Sequence, residues 1–186
     1  ETRGILMIGG KVMMDRNAPE ALRDTPQFSY DDTRALIEKW HGRGRAHYAI
    51  SPRFGITSSD AQLEMTQALV REFPDCFMQT HLSENHAEIA QTKALFPWAR
   101  DYTDVYERYG LLGSKSLFGH CIHLGPREIA ALAESRSVAV SSKIISISEF
   151  DREAVLARPR DCDFGIALVD QVGKAAVDVD LVEALV

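Results

Sequence analysis

The 186-residue sequence is poor in cysteine, has no long apolar run and carries no excess of positive charge. Cys76, Cys121 and Cys162 are its three cysteines, scattered and without a CxxC pair. Neither a disulfide framework nor a thiolate zinc site is therefore expected, and this usage fits a reducing, cytoplasmic compartment. No apolar stretch approaches the roughly 18 residues of a membrane span, and no secretory signal pattern opens the chain. Membrane association is not expected. The formal net charge of −6 argues against a nucleic-acid partner, which calls for a basic face. Internal repeats, low-complexity tracts and any His-x-His pair are also missing.

What is present is ordinary globular material. A hydrophobic fraction of 45% beside 26% charged residues is typical of folded domains and enough for a sizeable core. Short apolar runs alternate with longer helical periodicities, the pattern of βα units around a parallel sheet. The expected strands are Gly4 to Ile8, Ala46 to Ser51, Cys76 to Thr80, Ser116 to Gly119, Ser137 to Val140 and Phe164 to Leu168. The expected helices are Tyr30 to Gly42, Ser59 to Phe73, Asn85 to Phe96 and Pro126 to Ala133. Pro97 stops the third, and Pro126 suits the first turn of the fourth. The strands read as continuous apolar runs, as strands buried on both faces do.

In α/β barrels the reactive groups gather at the C-terminal ends of the strands. Here three successive strands lead into Arg53, His81 and His120. Imidazole is the commonest zinc ligand, and a metal-assisted hydrolase needs ligands from several strands aimed at one point. His81 and His120 lie 39 positions apart, about one βα unit, so neighbouring strand ends can present both rings to one metal. Each can equally be a hydrogen-bonded structural histidine. Glu84, three residues after His81, could shuttle a proton or simply favour the first turn of the next helix. Ser83 reads as a helix N-cap. Arg53 offers donors to a carbonyl oxygen, and Phe54 can cover a planar ligand. They can also be an ion-paired Arg and a core Phe. His41 and His47 flank the loop HGRGRAH and read as exposed or structural. Trp40 and Trp98 read as core or interface anchors.

The ordered strings GKVMMD (10–15), WHGRGR (40–45), YAISPRF (48–54), MQTHLSEN (78–85), FPWARDYTDVY (96–106) and SLFGHCIHL (116–124) are more specific than any one of these residues. Together they resemble the guanine deaminases of the amidohydrolase superfamily. The resemblance implies part of a distorted (β/α)8 TIM-type barrel with one zinc ion, hydrolysing guanine to xanthine and ammonia. It implies that His81 and His120 are metal ligands and that Glu84 is the catalytic carboxylate, moving protons during attack on the purine C2 carbon. Arg53 and Phe54 match the groups that hold guanine, with Arg53 facing the O6 carbonyl. The family is generally dimeric, which implies a homodimer for the intact protein.

Two departures shape the expectation. The family's HxH pair, which supplies two more zinc ligands, has no counterpart here, as expected if the chain starts after the first barrel strands. Where the family has a histidine-cysteine-proline segment, this sequence reads VSSKIISISEF (140–150). Residues 1–140 are thus expected to form a partial barrel and 141–186 a divergent C-terminal part of it. Asp170, in GIALVDQVG, stands near the place of a further ligand but in a different context. With two of five family ligands, the chain by itself is expected to bind zinc weakly and to be nearly inactive. The alternatives are another amidohydrolase acting on a cyclic amidine (a cytosine, adenosine or triazine deaminase) and a non-catalytic barrel relic.

Overall fold

The computed structural model describes residues 6–140. The expected strand at 164–168, Asp170 and the divergent segment 141–186 lie outside them. Among the described residues the strands are β1 (Met7–Gly9), β2 (Val12–Met13), β3 (Ala46–Pro52), β4 (Phe77–Leu82), β5 (Ser116–His120) and β6 (Val138–Val140). The helices are α1 (Pro26–Trp40), α2 (Asp60–Glu72), α3 (His86–Leu95), α4 (Tyr102–Arg108) and α5 (Pro126–Glu134). Every strand pairing is parallel, and the strands follow one another across the sheet in chain order. Helical crossovers lie between them, giving a half-barrel of (β/α) units.

β1 and β2 behave as one interrupted strand. Both pair with β3 at the same 39-residue offset, Met7 opposite Ala46 and Val12 opposite Ser51. The break falls at Gly10, whose hydrogen faces the β3 backbone so closely that a Cβ would sit 1.9 Å from the Ala49 carbonyl oxygen. Only glycine fits there without moving backbone. Gly10→Ala is expected to lower the unfolding free energy by roughly 1–3 kcal/mol, measurable by urea denaturation. A change under a few tenths would show that the edge relaxes freely.

The helices start where local chemistry supplies caps. The Thr25 hydroxyl accepts the Phe28 N–H at 3.1 Å, with Pro26 following it. Ser59 caps α2, and Asp101 caps α4. Glu128, in the first turn of α5, accepts the Gly125 N–H at 2.8 Å. These caps explain two differences from the sequence reading. α1 begins at Pro26 rather than Tyr30, because Thr25-Pro26 is itself a start signal. α4, not expected at all, is seven residues long, too short for a periodic pattern to register.

Two apolar clusters lie beneath the sheet. Met13, Ile37, Tyr48, Ile50, Leu69 and Cys76 join α1 and α2 to β2 and β3. A larger one packs Met78, Leu82 and Phe118 of the strands against Phe96, Tyr102, Val105, Tyr106 and Leu132 of α3–α5 and their loops. β4 alternates in burial instead of being buried throughout: Met78, Thr80 and Leu82 are buried, whereas Phe77, Gln79 and His81 are only partly so. The period-2 pleat turns Met78, Thr80 and Leu82 toward the helices and Gln79 and His81 to the barrel interior. Trp40 and Trp98 are not core residues. Both are more than a third exposed and carry cations over their rings, Arg43 on Trp40 and Arg108 on Trp98. His41 is structural, its Nδ1 accepting the Tyr48 N–H at 3.1 Å.

Candidate active site

His81, Glu84, His120, Arg53 and Phe54 come together at the C-terminal ends of β3, β4 and β5. β4 runs one residue past His81, so this histidine projects from the strand rather than following it. Its backbone N–H bonds the Arg53 carbonyl at 3.1 Å, and its ring Nδ1 lies 2.6 Å from the same oxygen. A carbonyl only accepts, so Nδ1 carries the proton and Nε2 is left as the basic nitrogen. Burial lowers the His81 pKa, and neighbouring His120 and Arg53 add to this against the opposing carbonyl bond. The ring is thereby held neutral, the form a metal ligand requires.

His120 reaches the site through an unusual backbone. In the β4–β5 register it pairs with Leu82, while His81 pairs with Gly119. Leu82 faces the helices, so a regular strand would send His120 there as well. Instead His120 has φ +70°, and this left-handed turn brings its ring onto that of His81. The centroids are 5.2 Å apart and the planes 27° from parallel. Cys121 (φ +53°) and Ser83 (φ +51°) are left-handed too. Such residues cost about 1–3 kcal/mol each and gather where function over-determines the backbone.

Ser83 is not a helix cap. Its carbonyl accepts N–H groups from Ile122 and His123 at 3.2 and 3.1 Å, tying the turn that carries Glu84 to the loop after His120. The cap is Asn85, which accepts the Glu88 N–H at 2.9 Å. Glu88 in return accepts the Glu84 N–H at 2.9 Å. Sequence reasoning passed over Glu88, although Asn85-x-x-Glu88 is a legible capping pattern. So held, Glu84 puts Oε2 3.6 Å from His120 Nε2, inside ion-pair range but too far for a hydrogen bond. Its side chain is about half exposed, as a group that meets solvent and ligand should be.

Arg53 and Phe54 flank the histidines. The Phe54 ring meets His81 edge-on at 6.1 Å, and the Arg53 guanidinium lies 5.0 Å over Phe54 with Nη1 3.7 Å from the Met14 sulfur. Among the described residues no carboxylate is ion-paired with Arg53, and Phe54 is half-buried rather than a core residue. Among the described residues, no three or more His, Cys, Asp or Glu groups are arranged to hold a metal ion. The two imidazoles suit zinc in donor type, His81 through the fixed Nε2. They fit as part of a ligand set.

The amidohydrolase family model matches residues 2–170. Guanine deaminase of Escherichia coli K12 is 52% identical over 131 residues, covering 70% of this chain and 30% of the relative. The solved E. coli guanine deaminase covers 74% of this chain and 32% of its own, with a TM-score of 0.73 and 49% identity. Guanine deaminase from C. acetobutylicum, solved with guanine bound in its active site, is 32% identical with a TM-score of 0.68, covering 72% of this chain and 32% of that one. Atrazine chlorohydrolase from Arthrobacter aurescens TC1, solved with zinc, is 14% identical at a TM-score of 0.67, covering 74% and 32%, and shares the fold. The chain thus spans about 30% of the length of the relatives it matches. No described helix is long and apolar enough to cross a membrane. With a family match across most of its length and a parallel half-barrel to go with it, the chain belongs to the amidohydrolase family.

Proposed function

We propose that the intact protein, of which this chain carries part of the barrel, deaminates guanine to xanthine and ammonia with the aid of zinc. The observation that carries this reading is the convergence of His81, His120 and Glu84 beside an Arg–Phe pair, in a chain similar to guanine deaminases. Among the described residues, His81 and His120 are the side chains this reading assigns as ligands. Bound there, zinc would supply the Lewis acidity that brings a water's pKa toward about 7.

The chain's own residues do the rest. The Arg53 guanidinium donates to the guanine O6 oxygen, fixing which edge of the purine enters. Phe54 covers the ring face and excludes water. The Glu84 carboxylate takes a proton from the attacking water and delivers it to the departing C2 amine. Its place beside His120 gives Oε2 a short path between the two. The Arg53 carbonyl keeps the His81 Nδ1 proton in place, so the histidine does not compete for the transferred one.

The same reading includes a homodimer, resting on the family resemblance alone, and a cytoplasmic setting. Free thiols at Cys76 and Cys121 suit a reducing compartment. Substrate competition tests the activity. With guanine, adenosine and cytosine offered together, guanine should be consumed at least a hundredfold faster, because only its O6 carbonyl and C2 amine meet both Arg53 and Glu84. Comparable use of adenosine or cytosine would overturn the assignment.

A further inference from the structure

The segment 96–106 adds no side chain to the candidate site, yet Tyr102 and Tyr106 of α4 reach into the place where β3 and β4 separate. His81 N–H bonds the Arg53 carbonyl, so the next rung of a parallel ladder would join the Gly55 N–H to the His81 carbonyl. That rung is missing. The Gly55 N–H instead donates to the Tyr102 hydroxyl at 3.1 Å, and the Tyr106 hydroxyl donates to the His81 carbonyl at 2.8 Å. The two phenol rings are stacked with centroids 5.6 Å apart. The Thr80 hydroxyl lies 3.1 Å from the Tyr106 oxygen and 3.3 Å from the Arg53 carbonyl, the oxygen that holds His81 Nδ1.

Thr80 and Tyr106 are fully buried and Tyr102 almost so. Water therefore has no access to replace a lost partner, and an orphaned backbone group there is costly. The β3–β4 register ends at Ile50 opposite Met78, and beyond it the Phe54 ring meets His81 edge-on at 6.1 Å.

We propose that the stacked tyrosines are a positioning device with divided roles: Tyr106, with Thr80, sets the His81 ring and its Nδ1–H bond, and Tyr102 sets the Phe54 segment. The claim rests on the zinc-deaminase reading for its consequences but not for its geometry. The phenol-to-phenyl variants keep both rings, and with them the packing, and delete only the hydroxyls.

The test uses the intact protein with 15N-labelled histidine. Tyr106→Phe should shift the His81 Nδ1–H resonance. It should also weaken zinc, measured by chelator competition, about 10–100-fold, the range for groups that orient a ligand. Tyr102→Phe should leave that resonance and the zinc affinity within about twofold and raise KM for guanine roughly tenfold, one hydrogen bond's worth. Thr80→Val should move the resonance in the same direction as Tyr106→Phe, and Thr80→Ser should restore it, so a poorly folding tyrosine variant would not leave the question open. Variants that lower only the melting temperature, with resonance, zinc affinity and KM unchanged, would overturn the proposal. So would the reverse assignment of effects. The resonance needs no metal: if the wild-type protein neither bound zinc nor consumed guanine, the functional reading would fail while the positioning claim would still be decided.

Discussion

Glu84→Gln is expected to lower kcat for guanine by about 10²–10⁴-fold, the usual worth of a positioned general acid–base group, with KM changed only a few-fold. The amide has the shape of the carboxylate but cannot accept and return a proton. The Glu84 main-chain bond to Glu88 does not depend on the side chain, so the turn should keep its form. Zinc content should be unchanged, because the side chain is placed here as a proton carrier and not as a ligand. Steady-state xanthine formation with metal analysis on the same sample checks both parts. A loss below about tenfold would remove Glu84 from the chemistry, and loss of zinc with activity would make it a ligand.

The second large effect concerns His120. His120→Ala should abolish turnover and weaken zinc by well over 100-fold, beyond the range expected for a group that only orients a ligand. His81→Ala should do the same. His120→Gly sharpens the argument, because glycine accepts φ +70° without the penalty that alanine keeps. The metal-free Gly variant should be about 1 kcal/mol more stable than the Ala variant, although both are inactive. Calorimetry on the two metal-free proteins reads this difference directly. Equal melting temperatures would mean that the left-handed turn is not strained and does not re-aim the ring.

Much of this was legible in the sequence, for identifiable reasons. The strands around His81 and His120 are apolar and short, and the Pro and Gly punctuation brackets the intervening helices. The order of βα units and the strand-end positions of Arg53, His81 and His120 followed from that, whereas the partial barrel and the site roles of Arg53 and Glu84 rested on the family resemblance. Three features were not legible. α4 is a seven-residue helix whose one clear signal is the Asp101 cap. The alternation along β4 went unread because Gln79 and His81 are polar on a face that covering helices do not reach. The left-handed turn at His120 left no trace at all, since histidine does not announce a positive φ as glycine does. It is also the feature that lets the register put both imidazoles on one side of the sheet.

The tyrosine pair shows the same limit from another direction. Tyr102 and Tyr106 are four residues apart on α4, which a helical reading places on one face. Nothing in that spacing says that their hydroxyls replace a missing rung between two strands. That follows only once β3 and β4 are seen to part at Gly55 and His81.

The central claim is that His81 and His120 together hold a zinc ion used to deaminate guanine. The most direct measurement is zinc-edge anomalous scattering from crystals of the intact, zinc-loaded protein. The account predicts a single strong metal peak bound by His81 through Nε2 and by His120, with the Glu84 carboxylate beside it. A protein that turns over guanine with no peak there, or with zinc bound elsewhere, would contradict it.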